Sequence, residues 1–134
     1  MDLSPGLAAI IDHVVSEADT SAAMGTSDVP VLSTPRIILL AEQATGEALA
    51  GRLEPGMSAV EHRVEISHVA PTPVGAAVRA EAVLESVDGR RLVFRVTISD
   101  QRGLVAAGRF TRVIVSRDRF MEKAEAEGAS PPVT

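Results

Sequence analysis

The chain has 134 residues, a net charge of −5, 46% hydrophobic and 23% charged residues, and no cysteine. That length supports one domain with a sizeable core, and the missing cysteines exclude disulfides and thiol nucleophiles. The acidic balance, with Phe94, Phe110 and Phe120 as the only aromatics, argues against nucleic acid, whose phosphates and bases ask for cations and stacking surfaces.

Residues 7–16 are rich in β-branched side chains. Ile10, Ile11, Val14 and Val15 favour a strand, although so short an apolar run leaves a helix open. Glu17 to Asp28 is small and polar and reads as a loop, with one helical turn near Thr20 to Met24. The most legible element follows. Thr34 is placed to cap a long helix, Pro35 fits its first turn, and Gly51 suits a left-handed stop. Residues 37–41 are apolar without a break, so this part of the helix should be wrapped on every side. Glu42 comes directly after them, and a charge there needs a partner, water or a task.

Leu53 to Gly56 is a turn. From Ser58 the chain alternates, with Val60, His62, Val64, Ile66 and His68 on one face and Glu61, Arg63, Glu65 and Ser67 on the other. Pro71 and Pro73 leave residues 70–74 extended and poorly paired. A second strand turns Val78, Ala80, Ala82 and Leu84 inward, and Asp88-Gly89 marks a hairpin. The return strand puts Leu92, Phe94, Val96 and Ile98 on one face. A turn at Asp100 to Gly103 leads into a last strand from Leu104 to Val115, where Gly108 marks a bulge. The order predicts an α+β fold in one domain, residues 1–118. Residues 119–134 turn charged and small and should form a flexible tail. No apolar run approaches the ~18 residues of a membrane helix. The first residues lack the pattern of a signal peptide. No membrane partner is expected, and the location is expected to be cytoplasmic.

These landmarks together resemble the fluoroacetyl-CoA thioesterase-like family of hot-dog proteins. The resemblance rests on Pro30-Val31-Leu32-Ser33-Thr34-Pro35, Glu42, His68-Val69-Ala70-Pro71-Thr72-Pro73-Val74-Gly75 and Asp88-Gly89-Arg90-Arg91-Leu92, and runs from about Gly6 to Lys123. It implies a central helix wrapped by an antiparallel sheet of about five strands, in homodimers that hydrolyse acyl-CoA thioesters near the dimer interface. By position it implies catalytic roles for Thr34, Glu42 and His68, and a site role for Arg112. The family's glycine in the strand after the helix is Glu61 here. The fluoroacetyl-specific aromatic lid has no counterpart, since residues 19–36 hold no Phe, Tyr or Trp.

Thioester hydrolysis needs an activated water or hydroxyl and stabilisation of an oxyanion. The backbone N–H groups of Arg36 and Ile37 at the helix start are candidate donors to the carbonyl. Glu42, shielded by Ile38 and Leu39, would have a raised pKa and serve as base. His68 would shuttle a proton, and Thr34 would attack or orient water; the residues leave both open. Each has a plain alternative. Thr34 caps a helix, for ~1 kcal/mol; Glu42 sits in a wet notch; His68 is a hydrogen-bonded structural histidine. His62 reads as a satisfied core or interface histidine, and His13 beside Asp12 makes a poor dyad. Arg90 and Arg91 are usually just solvated, contact with coenzyme A phosphate being the lesser reading. Three scattered histidines give no metal site, and no cofactor is expected. The rival functions are a hot-dog hydratase or dehydratase, and a ligand-binding module without turnover, which Glu61 fits best.

Overall fold

A computed structural model describes residues 3–128. The elements are β1 (Ala8–Val14), a short helix α1 (Ser21–Met24), a long helix α2 (Thr34–Ala48), β2 (Met57–His68), β3 (Ala77–Asp88), β4 (Arg91–Asp100), β5 (Gly103–Ser116) and α3 (Arg117–Gly128). The five strands form one antiparallel sheet in the order β1-β3-β4-β5-β2, so β1 and β2 are its edges. The sheet curls around α2, and the fold is α+β.

The first apolar stretch is a strand, paired with β3. The turn near Thr20 is α1, whose cap is the Thr20 hydroxyl accepting the Ala23 N–H at 3.1 Å. In β3 and β4 the alternation holds: Val78, Ala80, Ala82, Leu84, Leu92, Phe94, Val96 and Ile98 are all buried, with Ile37, Leu40, Ala41 and Ala44 of α2 packed among them.

Five expectations are corrected. Ser33, not Thr34, caps α2: its hydroxyl accepts the Arg36 N–H at 3.2 Å, and Thr34 is the first helical residue. The helix is not wrapped on every side by its own chain, because Leu39 is 45% exposed. Gly108 marks no bulge. It pairs in step with Ile66 and Val96, and a Cβ there would lie 1.8 Å from the Glu65 carbonyl oxygen, so what demands glycine is close approach of β2.

The bulge lies in β2 instead. Pairing steps from Glu61–Arg112 to Arg63–Thr111, leaving His62 without a partner in the ladder. A one-residue slip exchanges the faces of a strand. Ala59 and Glu61 therefore face the helix before the bulge, Ile66 and His68 after it, and His62, expected inside, is exposed. The charged stretch after Ser116, expected to fray as a flexible tail, is helical from Arg117 through Gly128. Glu, Lys, Met, Arg and Ala are good helix formers, and the Arg117 N–H bonds the Gly56 carbonyl at 2.9 Å, tying the start of α3 to the turn before β2. Residues 129–134 of that expected tail lie outside the described residues. Among the described residues no helix is long and apolar enough to cross a membrane.

Candidate active site

Thr34 and His68 meet at the start of α2. Because Ser33 supplies the cap, the Thr34 hydroxyl is released for another partner, and its Oγ1 lies 2.8 Å from His68 Nδ1. The strands around them explain the fit. The Leu32 N–H donates to the Thr72 carbonyl at 2.8 Å, Val31 bridges to Pro73, and the buried Thr72 hydroxyl donates to Asp100 at 3.1 Å. The proline-rich run after β2 is thereby sewn to the segment before α2, which sets the end of one against the start of the other. His68 Nε2 is buried and has no hydrogen-bond partner among the described residues. In the tautomer with the proton on Nε2, Nδ1 accepts the Thr34 proton, the arrangement that activates a hydroxyl.

The two backbone donors expected to face a carbonyl are already engaged. The Arg36 N–H goes to the Ser33 hydroxyl, and the Ile37 N–H goes to the Ser33 carbonyl at 3.1 Å. Pro35 has none. The donor of the first turn left without a partner among the described residues is the N–H of Thr34 itself, next to its own hydroxyl and at the positive end of the helix.

Below this pair lies a hub that the sequence hides. Asp19 Oδ2 is 2.7 Å from His13 Nε2 and accepts the Ser16 N–H at 2.8 Å, while Oδ1 accepts Arg36 Nε at 2.8 Å. Burial raises the pKa of Asp19, but its hydrogen bonds to Ser16, His13 and Arg36 outweigh that and hold it at about 2. The Arg36 side chain is thus spent on scaffolding. Asp12, the sequence neighbour of His13, pairs with Arg79 across the sheet at 2.8 Å. Nothing local points from His13 to Asp19, because the loop between them carries no periodic signal.

Two turns along α2, Glu42 is half-buried. The shielding expected from Leu39 is absent, since Leu39 faces outward. The Glu42 carbonyl accepts Arg112 Nη2 at 2.8 Å, and Arg112 also donates to Thr45 Oγ1 at 2.9 Å and to the Ala59 carbonyl at 2.7 Å. Arg112 therefore pins the third turn of α2 to β2. Glu61 Oε1 lies 3.1 Å from Arg112 Nε, yet both carboxylate oxygens of Glu61 are buried without a hydrogen bond among the described residues. Burial raises the Glu61 pKa, Arg112 opposes the rise, and nearby Glu42 adds to it. Strict alternation put Glu61 on the outer face. The sign of the bulge was the polar run Glu61-His62-Arg63, which breaks the apolar rhythm at mid-strand.

Thr34, His68, Glu42, Glu61 and Arg112 thus lie along one side of α2, in two groups. No group of His, Asp and Glu able to hold a metal occurs among the described residues.

Residues 15–118 match the model of the fluoroacetyl-CoA-specific thioesterase family. The fluoroacetyl-CoA thioesterase of Streptantibioticus cattleyicolor is 34% identical over 93 residues, 69% of this chain and 67% of that protein. The fold is similar to a crystal structure of the fluoroacetyl-CoA thioesterase FlK, with a TM-score of 0.86, 28% identity, and 98% of this chain and 100% of that one covered. A hot-dog-like protein from Thermanaerovibrio acidaminovorans is similar to the same degree, with a TM-score of 0.86 and 28% identity over 96% of this chain and 94% of that one.

Proposed function

The chain belongs to the fluoroacetyl-CoA-specific thioesterase family and is a thioester hydrolase acting on acyl-CoA, and from that premise we propose how its own residues carry the reaction. The observation that carries the reading is the 2.8 Å contact between Thr34 Oγ1 and His68 Nδ1. The Thr34 oxygen attacks the thioester carbonyl as His68 takes its proton. The tetrahedral oxyanion is held by the free Thr34 N–H at the helix start. Its collapse breaks the carbon–sulfur bond, and the proton on His68 passes to the departing thiolate. Glu42 then takes a proton from water as the water oxygen attacks the acyl-Thr34 ester. The tetrahedral intermediate collapses with cleavage of the carbon–Oγ1 bond, and the proton passes from Glu42 to the departing Thr34 oxygen. The carboxylic acid and the free hydroxyl result.

One chain does not bring all these groups to one carbon. Eight helical residues separate Thr34 from Glu42, about 12 Å along the axis. Reacting atoms have to come within about 3.5 Å. A homodimer resolves this. β2 is a twelve-residue edge strand with no neighbour on one side among the described residues, and Leu39 of α2 is exposed. Pairing two β2 edges about a two-fold runs them antiparallel and brings the start of one beside the end of the other. Glu42 and Glu61 of one chain then face the partner's Thr34 and His68.

The experiment is a search for the acyl-enzyme. Glu42→Gln protein mixed with acetyl-CoA and quenched should show an acetyl mass on Thr34 together with a burst of free thiol. If Thr34→Ala keeps the wild-type rate and no adduct forms, attack by Thr34 is refuted. If wild type releases no thiol from any short acyl-CoA, the binding-module reading that Glu61 fits takes its place.

A further inference from the structure

From an acid-free basic cavity at the joint of β2, β5 and α3, we infer that the phosphate-bearing adenosine end of the coenzyme A substrate docks on Arg90, Arg119, Lys123 and Phe120. This inference rests on the thioesterase reading above and adds a second contact region to it.

The cavity, about 240 Å³, is lined by Met57, Arg90, Val115, Ser116, Arg119, Phe120 and Lys123. Three of the seven are cations and none is an acid, in a chain of net charge −5. On α3, Arg119, Phe120 and Lys123 lie within about 100° of arc at 3.6 residues per turn, with the acids Asp118, Glu122 and Glu125 on the other flank. Six arginines elsewhere, Arg36, Arg63, Arg79, Arg102, Arg109 and Arg112, are each within ion-pair distance of a carboxylate, and Arg52, Arg91, Arg95 and Arg117 lack one among the described residues but do not line this cavity. Arg90, Arg119 and Lys123 have no such partner among the described residues. Phe120, 43% exposed, is an aromatic face beside them. Cations without carboxylates next to an open ring suit phosphates carried on a purine.

The cavity is built rather than incidental. The Arg117 N–H to the Gly56 carbonyl and the Arg117 guanidinium to the Ser58 hydroxyl, at 3.2 Å, hold the start of α3 on the start of β2. The Ile114 N–H donates to the Arg90 carbonyl at 2.9 Å and holds the hairpin residue on β5. Position fits as well. Met57 also lines a neighbouring cleft that reaches Arg112. From Met57 to Glu61 is four strand residues, about 13 Å at 3.3 Å per residue. A pantetheine arm leaving the cavity along β2 arrives at Glu61, Arg112 and Glu42. The same arm cannot reach Thr34 and His68 of its own chain, because His68 is eleven residues from Met57, about 36 Å at that rise. It meets the partner's pair across the β2 edge.

The test compares two substrates with one acyl group, acetyl-CoA and acetyl-pantetheine, which lacks the adenosine and its phosphates. In R119E/K123E the ratio of kcat/KM for the CoA ester over the pantetheine ester should fall by about tenfold, through KM and not kcat. Phe120→Ala should lower the same ratio by a smaller factor. Raised salt should erode the wild-type ratio and leave that of R119E/K123E nearly flat. Because all three side chains are exposed, circular dichroism should confirm an intact fold. An unchanged ratio overturns the inference and leaves the hydrolase reading standing. If neither ester is turned over, titration calorimetry with free coenzyme A decides: binding by wild type that R119E/K123E loses supports the cavity, and equal or absent binding in both refutes it.

Discussion

The two polar groups along α2 differ in one respect. At the start of the helix Asp19 is saturated, with both oxygens bonded to His13, Ser16 and Arg36. At mid-helix Glu61 has an arginine within 3.1 Å and, among the described residues, no hydrogen bond to either oxygen. Burial acts on both carboxyls in the same sense. It is overcome by hydrogen bonds in Asp19, whose pKa falls, and prevails in Glu61, whose pKa rises. The Asp19 carboxylate is satisfied within the chain and holds backbone in place, whereas Arg112 beside Glu61 does not offset the cost of its burial. Thr34 and His68 combine the two conditions, bonded to each other at Nδ1, with His68 Nε2 buried and without a hydrogen-bond partner among the described residues.

The largest expected effect comes from removing the groups that face the substrate. Glu42→Gln should fold normally and lose about 10²–10⁴ in kcat, the usual reach of a general base. His68→Ala should lose a comparable factor. Wild-type rates in either would reduce that residue to structure.

Next comes Glu61→Gly, which removes a side chain from the position where the resemblance implies glycine. Bulkier acyl esters such as isobutyryl-CoA should gain about tenfold in kcat/KM relative to acetyl-CoA, as a few carbons of pocket room are worth. Thermal stability should stay level or rise, because an unsatisfied buried carboxyl is removed. A loss of stability with no change in acyl preference would contradict the contrast.

Asp19→Asn should act on stability rather than chemistry. The folded pKa of Asp19 is about 2 against an ordinary 3.8, so its stabilisation is present above about pH 4 and is lost as pH falls through 2. The ionised form is worth about 2 kcal/mol at neutral pH. Urea midpoints of wild type and Asp19→Asn should therefore differ at pH 7 and converge near pH 2. A constant difference would show that Asp19 titrates normally.

The smallest effect is an absence of preference. The segment ahead of α2, Asp28-Val29-Pro30-Val31-Leu32-Ser33, offers no aromatic side chain over the acyl group, and Val29 is exposed there. Pocket contacts of one small group are worth only about 1–3 kcal/mol. The kcat/KM ratio of fluoroacetyl-CoA to acetyl-CoA should be modest. A ratio of many thousands would show that another device selects fluorine.

Much of this was legible before the structure, and what was missed has physical causes. The alternation in β3 and β4 and the punctuation around α2 are local signals, and the elements follow them. The pairing of Thr34 and His68 was legible only through the resemblance, since they stand 34 positions apart in the chain. The cap moved by one residue because Ser33 and Thr34 cap about equally well, and only His68 decides which hydroxyl is free. The bulge at His62 reversed the faces of β2 at the point where function sits, so alternation failed at Glu61. Asp19 was hidden in a loop, where its partners are set by tertiary contact alone. α3 is hard to read from its charge, because what fixes it is the helix-forming character of its residues together with the tertiary bonds of Arg117 to Gly56 and Ser58.

The central claim is that a complete site needs Glu42 from one chain and the Thr34–His68 pair from another. Thr34→Ala and Glu42→Gln, each inactive alone, can be coexpressed with different tags and the hybrid dimer purified. Such a dimer keeps one intact site of two, and the account predicts about half the wild-type rate of thiol release. A hybrid as inactive as its parents would place both groups in one chain and contradict the account.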